Sequence, residues 1–270
     1  MVMKRLYTTL LISLFLILSS GFLYASTEID SIKAYADAEV AIEHLRKQKT
    51  PDWEKITKQY RVTEPFVAMT DKKWGTAYIT EIDEAIKKCA AGDHVKVNQQ
   101  SLAKGLQHIT VLNMTDAMDS ISKDPLAGQK LSTFFEGIRP TFIRRDKDFF
   151  KSEKTLERAA DNAIARFLKA DAADILTARR ALEDAIAKTY ALCVLFEIME
   201  VEKLRDSDVP KCDVKRMEAV IFYRIIQPRI KKRSPKADEV ISNLINGSYK
   251  TMDVSVLKQY LETGLKGIKL

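Results

Sequence analysis

Cysteine and histidine chemistry has little to draw on in this chain, which holds three of each among 270 residues. Cys89, Cys193 and Cys212 form neither a C-x-x-C pair nor a C-x-x-C-H phrase, which excludes covalent haem and zinc-ribbon designs. An odd count permits one disulfide at most, and Cys89 with Cys212 is the pairing to test. Cys193 sits in Tyr190-Ala-Leu-Cys193-Val-Leu-Phe196 and reads as a buried small hydrophobe. His44, His94 and His108 are the whole histidine supply. His108 shares a stretch with Met114 and Met118, but those spacings turn the side chains away from one another around a helix. His108 therefore reads as a packed or surface residue and the two methionines as core filler. Glycine is equally scarce, at nine residues. No G-x-S-x-G elbow, H-E-x-x-H, glycine-rich phosphate loop or EF-hand run occurs, so an enzyme is the third choice among the functional classes.

Long apolar runs are confined to the N-terminus. Lys4 and Arg5 precede a largely apolar stretch from Leu6 to Leu23, and Ala25 offers a small residue for cleavage. Residues 1–25 read as a signal peptide. Leu23 at the −3 position is larger than the ideal residue there, and an uncleaved membrane anchor is the rival. In both cases residues 26–270 are expected outside the cytoplasm, periplasmic or secreted, with no further transmembrane segment. With 46% hydrophobic and 30% charged residues, the chain belongs to the folded globular class. The formal net charge of +7 falls to +5 without Lys4 and Arg5 (7 − 2). So mild an excess, on an exported chain, suits an envelope protein or anionic surface as partner and not nucleic acid.

All seven prolines follow one scheme. Pro51, Pro125 and Pro210 sit in short polar breaks, and Pro65, Pro140 and Pro228 each close an aromatic-x4-Pro phrase begun by Tyr60, Phe135 and Tyr223; Pro235 lies just beyond the third copy. Apolar residues at Leu102, Leu106, Ile109 and Leu112, and at Leu182, Ile186, Tyr190, Cys193 and Ile198, recur at helical spacing among good helix formers. The fold class is all-α: a single helical domain of three related bundle-like units, at 27–92, 93–170 and 171–270. Thr50 and Asp124, each before its proline, read as N-caps with proline at the first helical position. The inner prolines are expected to kink or end their helices.

Two constellations carry candidate chemistry. Asp116-Ala-Met-Asp119 and Glu197-Ile-Met-Glu200 repeat carboxylate-x-Met-carboxylate. Residues three apart share a helix face, so Asp116, Asp119, Glu197 and Glu200 on two facing helices would make a divalent-metal site, iron or manganese being the metals to test. The alternative is a pair of solvent-facing acidic patches. Basic residues gather around two inner prolines: Arg139, Arg144, Arg145 and Lys147 near Pro140, and Arg224, Arg229, Lys231, Lys232 and Arg233 near Pro228. Of these, Arg139, Arg144, Arg145, Arg224, Arg229, Lys232 and Arg233 are the candidate anion- or partner-binding set. The alternative is a solvated face whose arginines balance Asp146, Asp148 and Asp238.

The phrases Phe222-Tyr-Arg-Ile-Ile-Gln-Pro228-Arg-Ile-Lys-Lys-Arg-Ser-Pro235 and Phe196-Glu-Ile-Met-Glu200 resemble pieces of the extracytoplasmic helical region attached to some bacterial high-affinity iron permeases. The resemblance covers about a third of residues 26–270, and the permeases' membrane helices and Arg-Glu-x-x-Glu motif have no counterpart here. It implies a free-standing relative of the soluble part and a divalent cation, iron first, as ligand. The expected function is thus an exported, non-enzymatic binding protein. The alternative is an interaction module that docks an acidic protein or envelope polymer through a basic helical surface.

Overall fold

Between its prolines the chain is rich in residues that lose little side-chain freedom in a helix, and helices form there. The computed structural model describes residues 27–151, 153–169 and 172–270; the proposed signal peptide lies outside them. Among the described residues there are no strands. Helix α1 covers 27–46. It is followed by α2 (Trp53–Trp74), α3 (Tyr78–Ala90), α4 (Val95–Ser120), α5 (Ala127–Phe149) and α6 (Thr155–Leu168). Then come α7 (Ala172–Leu204), α8 (Val209–Arg233), α9 (Pro235–Asn246), a 3₁₀ turn (Tyr249–Thr251) and α10 (Val254–Gly264). None of the described helices is long and apolar enough to cross a membrane.

The outer prolines mark helix starts, with two shifts from expectation: neither Thr50 nor Asp124 is the N-cap, and Pro51 and Pro125 both lie before the helix. Asp52, not Thr50, caps α2 by accepting from the Lys55 N–H at 3.0 Å. Pro51 thus precedes the cap, where its missing N–H costs nothing. Asp124 holds the turn before α5, its side chain accepting from Leu126 N at 2.9 Å. Asp208 caps α8, with Pro210 in the first turn. The inner prolines end no helix: α2, α5 and α8 run on through Pro65, Pro140 and Pro228. A proline inside a helix costs about 3 kcal/mol. One turn before each lies a buried ring, Tyr60, Phe135 or Tyr223, and full burial of one large apolar side chain contributes roughly 1.5–3 kcal/mol. Packing of that ring offsets much of the proline's cost, so the helix persists.

Six residues after each inner proline stands a side chain that organises the next, shorter helix. Asp71 accepts from Tyr78 N and Ile79 N, both at 2.9 Å, at the start of α3. Asp146 accepts from Leu156 N at 2.8 Å and Glu157 N at 3.0 Å at the start of α6. Ser234 accepts from Ala237 N at 3.3 Å at the start of α9. Each satisfies N–H groups that a helix start leaves without an intrahelical partner.

Helix α4 lies at the centre. Residues 102–111 are buried without interruption, so every face of the helix is covered, as in a core helix. It packs on α2, α3, α5 and α8, and Tyr35 of α1 reaches it through hydrogen bonds to Leu106 O (3.2 Å) and Thr110 Oγ1 (3.0 Å). The one-sided stripe expected for this segment is thus only part of its buried surface; Lys104, Gln107, His108 and Thr110 are buried too. One hydrophobic cluster runs from Ile32 to Ile268. Met114 and Met118 lie in it, and so does Cys193.

The three cysteines are free and buried. The Cys89 thiol faces Val95 O and that of Cys212 faces Val201 O, so Cys89 and Cys212 are not joined. Burial pushes the Cys89 thiol up to about 11 and the Cys193 thiol up to about 12, which keeps both protonated and poorly nucleophilic. His108 is packed in the core, where its Nδ1 is bonded to the Tyr78 hydroxyl. Burial, aided by the Arg224 charge, pulls its pKa down to about 4, so the ring is neutral at physiological pH.

Candidate functional site

The two acidic pairs are held by separate cations of the protein. Asp116 pairs with Lys73 of α2 at 2.7 Å, and Asp119 with Arg179 of α7 at 2.6 Å. Glu200 pairs with Lys203 one turn along its own helix, at 2.7 Å. Glu197 turns inward instead and is buried. Its Oε2 accepts from Lys215 Nζ at 2.7 Å, and the same ammonium donates to Glu218 at 3.0 Å. Burial, then the neighbouring Glu218, raises Glu197 to about 7. Two carboxyls sharing one ammonium do not both ionise easily; Glu197, with Arg145 Nη1 3.9 Å from its Oε1, is pushed up, while Glu218, which also feels Lys104, is pulled down. Among the described residues, no three His, Cys, Asp or Glu side chains are grouped to hold a metal ion.

Most of the predicted basic set is also engaged within the fold. Arg139 stacks 4.6 Å over the Phe135 ring and bonds Glu136, Glu157 and Asp161, which raises its pKa further. Arg144 lies 3.6 Å from Glu43. Arg145 is buried, with its guanidinium 4.2 Å over Phe196 and 2.9 Å from Asp148. Arg224 pairs with Glu81 at 2.9 Å, and Arg229 pairs with Asp184. The end of α8 differs. Lys231, Lys232 and Arg233 are exposed, and among the described residues none of them has a carboxylate within ion-pair distance. Arg233 instead donates to the Lys266 carbonyl at 3.4 Å, which brings the C-terminal segment alongside. Lys236, Lys266 and Lys269, also exposed, extend the cationic end. Nearby carboxylates are fewer: Asp238 on α9, buried and bonded by Tyr223 and Gln227 of α8, Glu239 beside it, and Glu262, whose Oε1 accepts from Leu270 N.

A second site, not anticipated from the sequence, lies where α1, α4 and α5 meet. Glu39 is buried there at 4% exposure. Its Oε2 accepts from Thr110 Oγ1 at 2.7 Å, while its Oε1 is buried with no hydrogen-bond partner among the described residues. Burial raises Glu39 to about 7, with Glu43 adding to the rise and the Thr110 bond and Lys104 opposing it. One turn along, Glu43 is bonded by Arg46 and paired with Lys47. Burial raises it as well, but Lys104, Arg46 and Lys47 outweigh that and hold it at about 2. Glu39 and Glu43 line a cavity of about 40 Å³ together with Lys104, Gln107, Gly137, Pro140, Thr141 and Arg144. Lys104 is 3% exposed; its ammonium lies 5.1 Å over the Phe222 ring and makes no hydrogen bond to a described residue. Gly137 makes the junction fit, since a Cβ there would fall 2.6 Å from Glu39 Oε2. The clue in the sequence was Gly137 itself, a glycine within the helical phrase before Pro140. Its purpose becomes visible only with α1 in place.

Compared with protein-family models, with curated proteins and with solved structures, the chain gives no match.

Proposed function

We propose that this is an exported, non-enzymatic binding protein of three related helical units, which docks an anionic partner of the cell envelope through the cationic end of α8. The observation that carries this reading is the contrast within the basic set. Arg139, Arg145, Arg224 and Arg229 are committed to internal carboxylates, whereas Lys231, Lys232 and Arg233 are exposed beside Lys236, Lys266 and Lys269. Like charges held together at a surface repel, and an anion that neutralises them gains in affinity and in encounter rate. Asp116, Asp119 and Glu200 are each neutralised by a lysine or arginine. A divalent cation there would first have to displace that partner, so docking is preferred to the iron or manganese reading. The recurrence of a capping side chain six residues after each inner proline supports the three-unit layout.

Retention on immobilised polyglutamate and on anionic lipid vesicles tests the docking, since the two probes separate an acidic chain from a charged membrane surface. Binding should weaken steeply as salt rises, because charges farther apart than about 8–10 Å are screened at physiological ionic strength. It should be lost in Lys231→Glu/Lys232→Glu/Arg233→Glu and kept in Arg139→Gln. Equal retention of wild type and the triple variant would refute the proposal.

A further inference from the structure

The cavity between α1, α4 and α5 has an unbalanced inventory. On the donor side stand the Lys104 ammonium, with no hydrogen-bond acceptor among the described residues, and Arg144, held only by a 3.6 Å contact to Glu43. The Gln107 amide adds to them, its oxygen already occupied by Thr141 Oγ1 at 3.2 Å. On the acceptor side, Glu43 is bonded by Arg46 and paired with Lys47, and its charge acts on Lys104 without a hydrogen bond to it, while Glu39 Oε1 has no hydrogen-bond partner among the described residues. A buried ammonium without a hydrogen-bonded counter-charge is costly, as is a buried carboxyl oxygen without a partner. One occupant relieves both.

We propose that this cavity is a binding site for a small monoanion, a halide or a short carboxylate, held by Lys104 and Arg144 against the buried carboxyl of Glu39. The volume, about 40 Å³, admits a few water-sized atoms and no larger metabolite. The anion accepts from Lys104 Nζ and from the Glu39 Oε1–H, while Glu39 Oε2 keeps its bond from Thr110. When Glu39 loses its proton, its own carboxylate supplies the counter-charge to Lys104 and excludes the ligand. Binding and protonation are therefore linked. The groups that set this linkage are Tyr35, Glu43 and Arg46 on α1, Lys104 with Thr110 on α4, Arg144 on α5, Tyr190 on α7 and Glu218 on α8; burial lowers the Lys104 pKa, Arg46 and Arg144 add to that, and Glu43 and Glu218 oppose it. The elevated pKa of Glu39 places the exchange near neutrality.

Chloride binding followed by ³⁵Cl line broadening tests the site, with acetate as competitor and with measurements at about pH 5.5 and about pH 8.5, on either side of the Glu39 transition. Wild type should broaden the line at the lower pH and lose affinity roughly tenfold per pH unit above neutrality. Acetate should displace chloride, and calorimetry at about pH 7, where the free site is partly ionised, in two buffers of different ionisation enthalpy should show proton uptake on binding. Glu39→Gln should bind at both pH values without the slope, and Lys104→Met should not bind. The proposal is overturned if the pH-dependent broadening persists in Lys104→Met, if Glu39→Gln keeps the slope, or if wild type binds chloride at about pH 7 without taking up a proton. Absence of chloride and acetate binding at either pH would also overturn it, since the cavity would then hold water alone. The calorimetric readout needs no variant and stands even where one fails to fold.

Discussion

Glu39 and Glu43 stand one helical turn apart on α1, and the fold drives their carboxyls in opposite directions, to about 7 and to about 2. Both are desolvated. What separates them is the company: Glu43 faces Lys104, is bonded by Arg46 and is paired with Lys47, while Glu39 meets a threonine hydroxyl and the cavity wall.

That divergence shapes stability against pH. The Glu39 pKa is raised above its ordinary 4.5, so the native state binds a proton that the unfolded chain releases. Stability is therefore lost as pH rises from about 4.5 through 7, by about 3 kcal/mol, and is flat above that. Glu43 acts in the opposite sense, and its contribution is lost as pH falls from about 4.5 towards 2. Urea unfolding of Glu39→Gln should remove most of the alkaline loss; a variant with the wild-type pH profile would show that Glu39 does not carry it. Glu197, raised by the same cause, leaves a residual slope.

Gly137→Ala forces the Glu39 carboxylate away from α5, because the new Cβ would lie 2.6 Å from Oε2. Overpacking of this kind costs about 1–3 kcal/mol. The cost should shrink in a Glu39→Ala background, where the colliding atoms are gone. Additive effects in that double-mutant cycle would show that the close approach does not set the glycine.

The capping residues after the inner prolines form a matched series. Ser234→Ala should cost about 0.5–2 kcal/mol, the usual range for a lost N-cap. Asp146→Ala should cost more than Asp71→Ala. Both aspartates hold two backbone N–H groups, but Asp146 is buried at 2% exposure, so its loss leaves those donors away from water. Thermal denaturation of the three variants gives the ranking directly.

Tyr78→Phe removes the hydroxyl bonded to His108 Nδ1 and leaves a buried polar atom unmet, at a cost of about 1–3 kcal/mol. The His108 pKa is lowered from 6.5 to about 4, so its contribution is present above pH 6.5 and lost as pH falls through 4. That acid loss should persist in Tyr78→Phe, because burial is its first cause. An NMR titration placing the His108 pKa near 6.5 would contradict the assignment.

The helical class was legible in the sequence because helix formers and apolar spacing agree along most of the chain. Buried Cys193, Met114 and Met118 were legible for the same reason, since each lies within an apolar stretch. The fate of individual charges was not. Asp116 and Asp119 show a helix-face pattern, yet their partners Lys73 and Arg179 lie 43 and 60 residues away in the chain (116 − 73 and 179 − 119). Lys104 and Glu39 look like ordinary surface residues of amphipathic helices until three helices close over them. Ion-pair partners are chosen by tertiary packing, which periodicity along one helix does not encode. The inner prolines end no helix for a related reason: the local rule by which proline stops a helix is overridden where a buried ring anchors the preceding turn.

The uninterrupted burial of residues 102–111 bears on how the chain can be cut. Helix α4 is enclosed by helices on both sides of it in sequence, from α1 to α8. A fragment ending near residue 92 would lose the surface on which α1 and α2 rest, and one spanning 93–170 would leave α4 open along the face that α1 and α8 cover. The described helices share a single interior, so the proposed units at 27–92, 93–170 and 171–270 are not expected to fold apart, and residues 27–270 should unfold together.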